Sequence, residues 1–196
     1  MASSHEHDKP KYSADVDLIL EKGTKLYSSI CANNGHDGSN YLLITELPKT
    51  VVIEERTIKL TLCDPLSGML SHNSNDAEAL TFCLQSALEK SFQESITCFF
   101  TVGNAPGYTI GIILVKELVF SIIDSHSRDS HGKCVENGKA VILEVRTLKN
   151  LELYIREMSG SLSVQDMPFE VIPAHITTCS STTNRYCLQC IYMSVN

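Results

Sequence analysis

The chain has 196 residues, enough for one domain with a full hydrophobic core and too few for two of ordinary size. Apolar residues make up 43% and charged residues 20%, which excludes wholesale disorder and fibrous architecture. A formal net charge of −7, without clustered Lys and Arg, argues against nucleic acid or an anionic membrane as the main partner and leaves a neutral or basic protein surface as the better match.

Residues 1 to 12 are polar and read as an extended lead-in. Ser13 is a candidate N-cap for a helix from Ala14 to Lys22, with Gly23 as its stop signal. Tyr41 to Thr45, Thr50 to Glu54 and Thr57 to Cys63 read as strands, the last two forming a hairpin through Glu55-Arg56. Ile58, Leu60 and Leu62 alternate onto one of its faces. Asp76 is placed to cap a helix through Phe92, with Ala79, Leu80, Cys83, Ala87 and Leu88 at helical spacing. Three β-rich runs come next, Ile96 to Val102, Tyr108 to Val115 and Glu117 to Ile123, the first two separated by the breaker Gly103-Asn-Ala-Pro-Gly107. A strand from Ala140 to Val145, a helix from Leu148 to Glu157 and a strand from Phe169 to Ile172 complete the pattern. The expected architecture is α+β, helices on a mainly antiparallel sheet, in one domain over 13–172 with a Ser/Thr/Cys-containing tail over 173–196.

The longest apolar runs are strand-length, well below the roughly 18 residues that cross a bilayer, and the N-terminus shows no secretory pattern. No membrane association is expected. The location expected is intracellular, cytoplasmic or nuclear, with the eight irregularly spaced cysteines reduced and mostly serving as core residues. No Walker loop or Gly-x-Gly-x-x-Gly motif supports nucleotide chemistry.

The segment that carries chemistry is Leu118-Val-Phe-Ser-Ile-Ile-Asp124-Ser-His126-Ser-Arg-Asp-Ser-His131-Gly132, an apolar strand running into Asp-x-His. A histidine beside a carboxylate can act as a general base whose tautomer the carboxylate fixes, with a nucleophile from elsewhere. The plain alternative is a polar turn favoured by Asp124, Ser125 and Asp129, with a solvated His126. Asp124, His126, Asp129 and His131 as metal ligands, or Cys187 and Cys190 with Cys179 and His175, match no complete metal motif, and no metal or cofactor is expected. Gly103 and Gly107 beside Tyr108 would permit close approach of a peptide tail, though a simple hairpin turn explains them as well.

The run Val119 to Gly132 closely resembles the Phe-Asp-Ser-His-Ser-Arg-Asp-x-x-Gly signature of the tegument-type ubiquitin-specific cysteine proteases (deubiquitinases) of herpesviruses and their relatives in animal and mobile-element genomes. Val16 to Tyr27, Tyr41 to Pro48, Phe99 to Thr109 and Gly138 to Leu143 resemble the same family in the same order. The resemblance covers residues 13 to 160. It implies a papain-like fold and thiolate attack on the carbonyl after the C-terminal glycine of ubiquitin or a ubiquitin-like protein. Asp124 would orient and His126 act as base.

The family's nucleophilic cysteine opens a helix after an oxyanion-binding glutamine, and neither residue type occurs before Gly23. Met1-Ala-Ser-Ser4 resembles the residues just after that cysteine, which implies either an earlier start or a lost nucleophile. Cys31, in Ser28-Ser-Ile-Cys-Ala-Asn-Asn34, is the substitute candidate, in a polar loop by its neighbours. Cys63, Cys83 and Cys98 read as small buried hydrophobes and Cys134 as a solvent-facing loop residue. The functions to weigh are a ubiquitin-directed cysteine isopeptidase or its inactive descendant, and a non-catalytic module binding ubiquitin or a similar protein. Glu46, Glu54, Glu55 and Asp64 are candidates for an acidic rim attracting a basic tail.

Overall fold

The computed structural model describes residues 14–33, 35, 43–53, 56–71, 81–103, 108–129, 132–160 and 167–178. Among these, three helices pack on the two faces of an antiparallel sheet, the α+β papain-like arrangement. Helix α1 spans Ala14–Asn33. It does not stop at Gly23, which is buried within it, because Leu26, Tyr27 and Ile30 continue the apolar face that docks on the sheet. The expected cap at Ser13 lies outside the described residues.

The expected strand over 41–45 is replaced, in its described part, by a 3-10 turn at Ile44–Glu46, closed by Glu46 Oε2 accepting the backbone N–H of Leu43 at 2.7 Å. The hairpin forms as β1 (Thr50–Ile53) and β2 (Arg56–Leu62), and an unexpected short strand β3 (Leu66–Met69) comes after it. Helix α2 is Leu84–Glu94, shorter than expected. Asp76, Ala79 and Leu80 lie outside the described residues, and the cap is Cys83, whose Sγ accepts the Ser86 backbone N–H at 3.5 Å.

Strands β4 (Thr97–Val102), β5 (Tyr108–Lys116), β6 (Val119–Arg128) and β7 (Lys139–Arg146) form an antiparallel meander, and α3 (Leu148–Gly160) packs back on it. The last strand, β8 (Pro168–Thr178), extends well past Ile172 and sits in the middle of the sheet. It pairs with β4 on one side and with β2 and β3 in succession on the other. Residues Pro173 to Thr178 therefore belong to the sheet and not to a tail. Pro173, lacking an N–H, is tolerated in this central strand because its carbonyl accepts Cys63 N at 2.9 Å, so its nitrogen faces the connection where β2 hands over to β3.

Strand alternation sorts the core into two clusters. Phe99, Ile123, Ala140 and Ile172 face α1 and its Ile30 and Cys31. Phe100, Ile122, Val141 and Val171 face α2 and α3, with Leu88, Leu151, Tyr154 and Ile155.

Candidate active site

The Asp-x-His segment lies within β6 rather than in a loop after it. The ladder with β7 runs regularly to Asp124↔Val141 and resumes at Arg128↔Lys139, so three β6 residues, Ser125 to Ser127, stand against one on β7. Such a bulge re-aims side chains while the strand continues. Asp124, His126 and Arg128 alternate along one strand, and all three converge on the side of the sheet that carries α3.

Asp124 is fully buried and is the hub of the site. Its Oδ1 accepts the His126 backbone N–H at 2.9 Å and His126 Nδ1 at 2.7 Å. Its Oδ2 accepts Arg128 Nε at 2.8 Å and, more weakly, the Tyr154 hydroxyl at 3.4 Å. Burial pushes the Asp124 carboxyl up, but the His126 hydrogen bond and the Arg128 charge together outweigh it and hold the group below its ordinary value. An ionised carboxylate can only accept, so Nδ1 carries a proton, and in the neutral imidazole Nε2 is the nitrogen with the lone pair. His126 is 24% exposed, so this basic nitrogen belongs to a ring that solvent or substrate can reach. Burial and the Asp124 charge push the Tyr154 phenol far up, which keeps it a hydrogen-bond donor.

The rest of the signature builds this hub. Asp129 Oδ1 accepts Lys133 N at 2.9 Å and closes the turn after β6. Gly132, at φ +79°, lies so close to α3 that a Cβ there would stand 2.6 Å from Leu143 Cδ1 and 2.7 Å from Tyr154 Cε2. Gly138 donates its N–H to Ser127 Oγ at 2.6 Å, and a Cβ on it would meet Arg128 N at 2.3 Å. Both glycines permit close approach that any side chain would block.

Arg128 and Tyr154 were not singled out by sequence reasoning. The signal for Arg128 was its even spacing from Asp124 and His126, which places all three on one side of a strand once the strand is known to continue. Arg128 is only 2% exposed, and its Nη1 and Nη2 have no hydrogen-bond partner among the described residues.

Cys31 is not brought to this site. It lies in the last turn of α1, not in a polar loop, and is 5% exposed in the apolar cluster on the opposite face of the sheet. Cys98 is a fully buried core residue whose thiol burial pushes up to about 12. Cys83 is an N-cap and only half-buried, and Cys63 is likewise half-buried, its thiol pushed up by burial and by Glu94. Cys134 is exposed, in the turn opposite Arg128. Cys179, Cys187 and Cys190 lie outside the described residues.

Among the described residues no three of His, Cys, Asp and Glu gather as a metal site, and both Asp124 oxygens are already engaged. His131 lies outside the described residues and His175 is exposed on β8. Of the acidic rim candidates, Glu46 closes the 3-10 turn, Asp64 is exposed, and Glu54 and Glu55 lie outside the described residues, as does Gly107. Gly103 adopts φ +89° after β4, a conformation that favours glycine. No described helix is long and apolar enough to cross a membrane.

The family model described as the herpesvirus tegument protein, N-terminal conserved region, matches residues 1–179. Among solved structures, the chain is similar to the ubiquitin-specific protease of murine cytomegalovirus tegument protein M48, crystallised with a ubiquitin-based suicide substrate. The TM-score is 0.62 at 16% identity, over 90% of this chain and 73% of that one, which establishes a shared fold. No curated protein matches in sequence.

Proposed function

The chain belongs to the herpesvirus tegument N-terminal family, and from that premise we propose that it is a ubiquitin-directed cysteine isopeptidase domain whose described residues supply the base half of the active site. The observation that carries this reading is the buried Asp124 carboxylate bonded at 2.7 Å to a part-exposed His126. In the reaction, His126 Nε2 takes the proton of a cysteine thiol, and the thiolate adds to the carbonyl after the C-terminal glycine of ubiquitin. The imidazolium returns that proton to the leaving lysine amine, and water then hydrolyses the thioester with His126 again as base. Asp124 fixes the tautomer and stabilises the imidazolium. The thiol in this reading is not Cys31, and an intracellular, reducing setting would keep it reduced.

The test is turnover of ubiquitin carrying a fluorogenic amide on its C-terminal glycine. The expected result is release that falls about 10²–10⁴-fold in His126→Ala, the range of a lost general base. Release unchanged in that variant would overturn the assignment. A second reading, a non-catalytic module that binds ubiquitin or a similar protein, is favoured by one observation: no thiol among the described residues hydrogen-bonds His126. Saturable ubiquitin binding without any turnover is its signature.

A further inference from the structure

One contact at the site has no part in that reaction. The ring of Tyr108, at the start of β5, meets the His126 imidazole at 4.1 Å between centroids, tilted by 34°. The same ring lies 5.7 Å from Arg128 Cζ. We infer that Tyr108 is a positioning residue that fixes the plane of the His126 ring, and is itself held by the Arg128 guanidinium.

Three observations carry the inference. First, a single hydrogen bond to Asp124 Oδ1 anchors Nδ1 but leaves the imidazole free to swing about that bond, so something else must set the ring plane and hence the direction of the Nε2 lone pair. The Tyr108 ring packs against it in a tilted contact, 4.1 Å between centroids. Second, Arg128 is an expensive residue for this place. It is fully buried, spends only Nε on Asp124, and leaves Nη1 and Nη2 without described partners. A buried arginine so poorly satisfied is weak as a stability device and calls for another role. Its guanidinium within about 6 Å of an aromatic ring is in cation–π range, and this pins Tyr108. Third, the arrangement closes on itself. Asp124 Oδ1 holds His126, Asp124 Oδ2 holds Arg128, and the one tyrosine ring lies beside both of these partners of the carboxylate.

The catalytic consequence rests on the general-base reading of His126, whereas the positioning itself does not, so the test reads the imidazole directly. In the full chain, the His126 ring resonances and nitrogen tautomer are followed by NMR in the wild type, Tyr108→Phe and Tyr108→Leu. Tyr108 is only half-buried, so both variants are expected to fold, and the amide spectrum checks it. The expected result is a changed His126 χ2 torsion, read from ring-proton NOEs and couplings, and a weakened Nδ1–H preference in Tyr108→Leu, with the wild-type torsion and tautomer retained in Tyr108→Phe. If turnover is present, Tyr108→Leu slows it about tenfold with binding unchanged and Tyr108→Phe restores it, as expected for misalignment of a base. Retention of torsion and tautomer in Tyr108→Leu would overturn the inference, and so would their equal loss in Tyr108→Phe. Absence of turnover in the wild type counts against the isopeptidase reading alone, and the imidazole readout still decides the role of Tyr108.

Discussion

The two faces of the sheet are built to different rules. The α1 face is an apolar cluster from Ile30 through Ala174, in which Cys31 is one more small hydrophobe. The α2/α3 face is equally apolar over most of its area, but at the end of β6 it buries a carboxylate, a guanidinium and a phenol together. Hydrophobic side chains there would give comparable or greater stability, since desolvating a buried ion pair costs about as much as its attraction returns. The difference teaches that stability alone does not account for the polar hub, and that a cysteine is assigned a role by the face it occupies as much as by its sequence neighbours.

That contrast can be broken by mutation. The largest effect is expected for Asp124→Ala, which strands a buried Arg128. Urea denaturation should show a loss of about 3–5 kcal/mol. Asp124→Leu with Arg128→Met, which removes both charges, should recover stability to within about 1 kcal/mol of wild type while abolishing any chemistry. Recovery of neither stability nor fold would mean that the hub is structural. The hub also predicts an acid limb. Because the Asp124 carboxyl titrates below its ordinary value in the folded state, its contribution is present above the ordinary carboxylate range and is lost as pH falls through the lowered value. The urea midpoint should therefore fall more steeply below about pH 4 in wild type than in the double variant.

Gly132→Ala should cost less, about 1–3 kcal/mol, from its positive φ and from the contact with Tyr154. Its specific mark would be displacement of the Tyr154 hydroxyl from Asp124, read as a lowered phenol titration. The smallest change is expected on the other face. Cys31→Ala should cost about 1 kcal/mol in thermal or urea unfolding and leave the His126 resonances unmoved. A shift of those resonances would couple Cys31 to the site and undo the contrast.

Much of the sheet was legible as short β-rich apolar runs bounded by turn residues, with alternation plain in Ile58, Leu60 and Leu62. Phe99 against Phe100, Ile122 against Ile123 and Val171 against Ile172 divide cleanly between the faces. The features that escaped have identifiable causes. Gly23 carries a stop signal that tertiary packing of Leu26 and Ile30 overrides. Pro173 looks like a strand end, yet it falls where its absent N–H is not needed. The polar run from Asp124 to Arg128 reads as a loop, because hydropathy cannot register a strand whose buried side chains are charged and paired. Asp124 and His126 were legible through chemistry and family resemblance together. Arg128, Tyr154 and the ring of Tyr108 were not, because their part depends on which residues the fold brings beside the carboxylate.

The assignment of His126 as base, with a nucleophile other than Cys31, is tested most directly by treating the full chain with ubiquitin bearing a thiol-reactive electrophile at its C-terminus. Any adduct is mapped by mass spectrometry in wild type, His126→Ala and Cys31→Ala. One ubiquitin per chain is expected, attached to a cysteine other than Cys31, formed in Cys31→Ala as in wild type and lost in His126→Ala. An adduct on Cys31, or one indifferent to His126, would contradict that assignment.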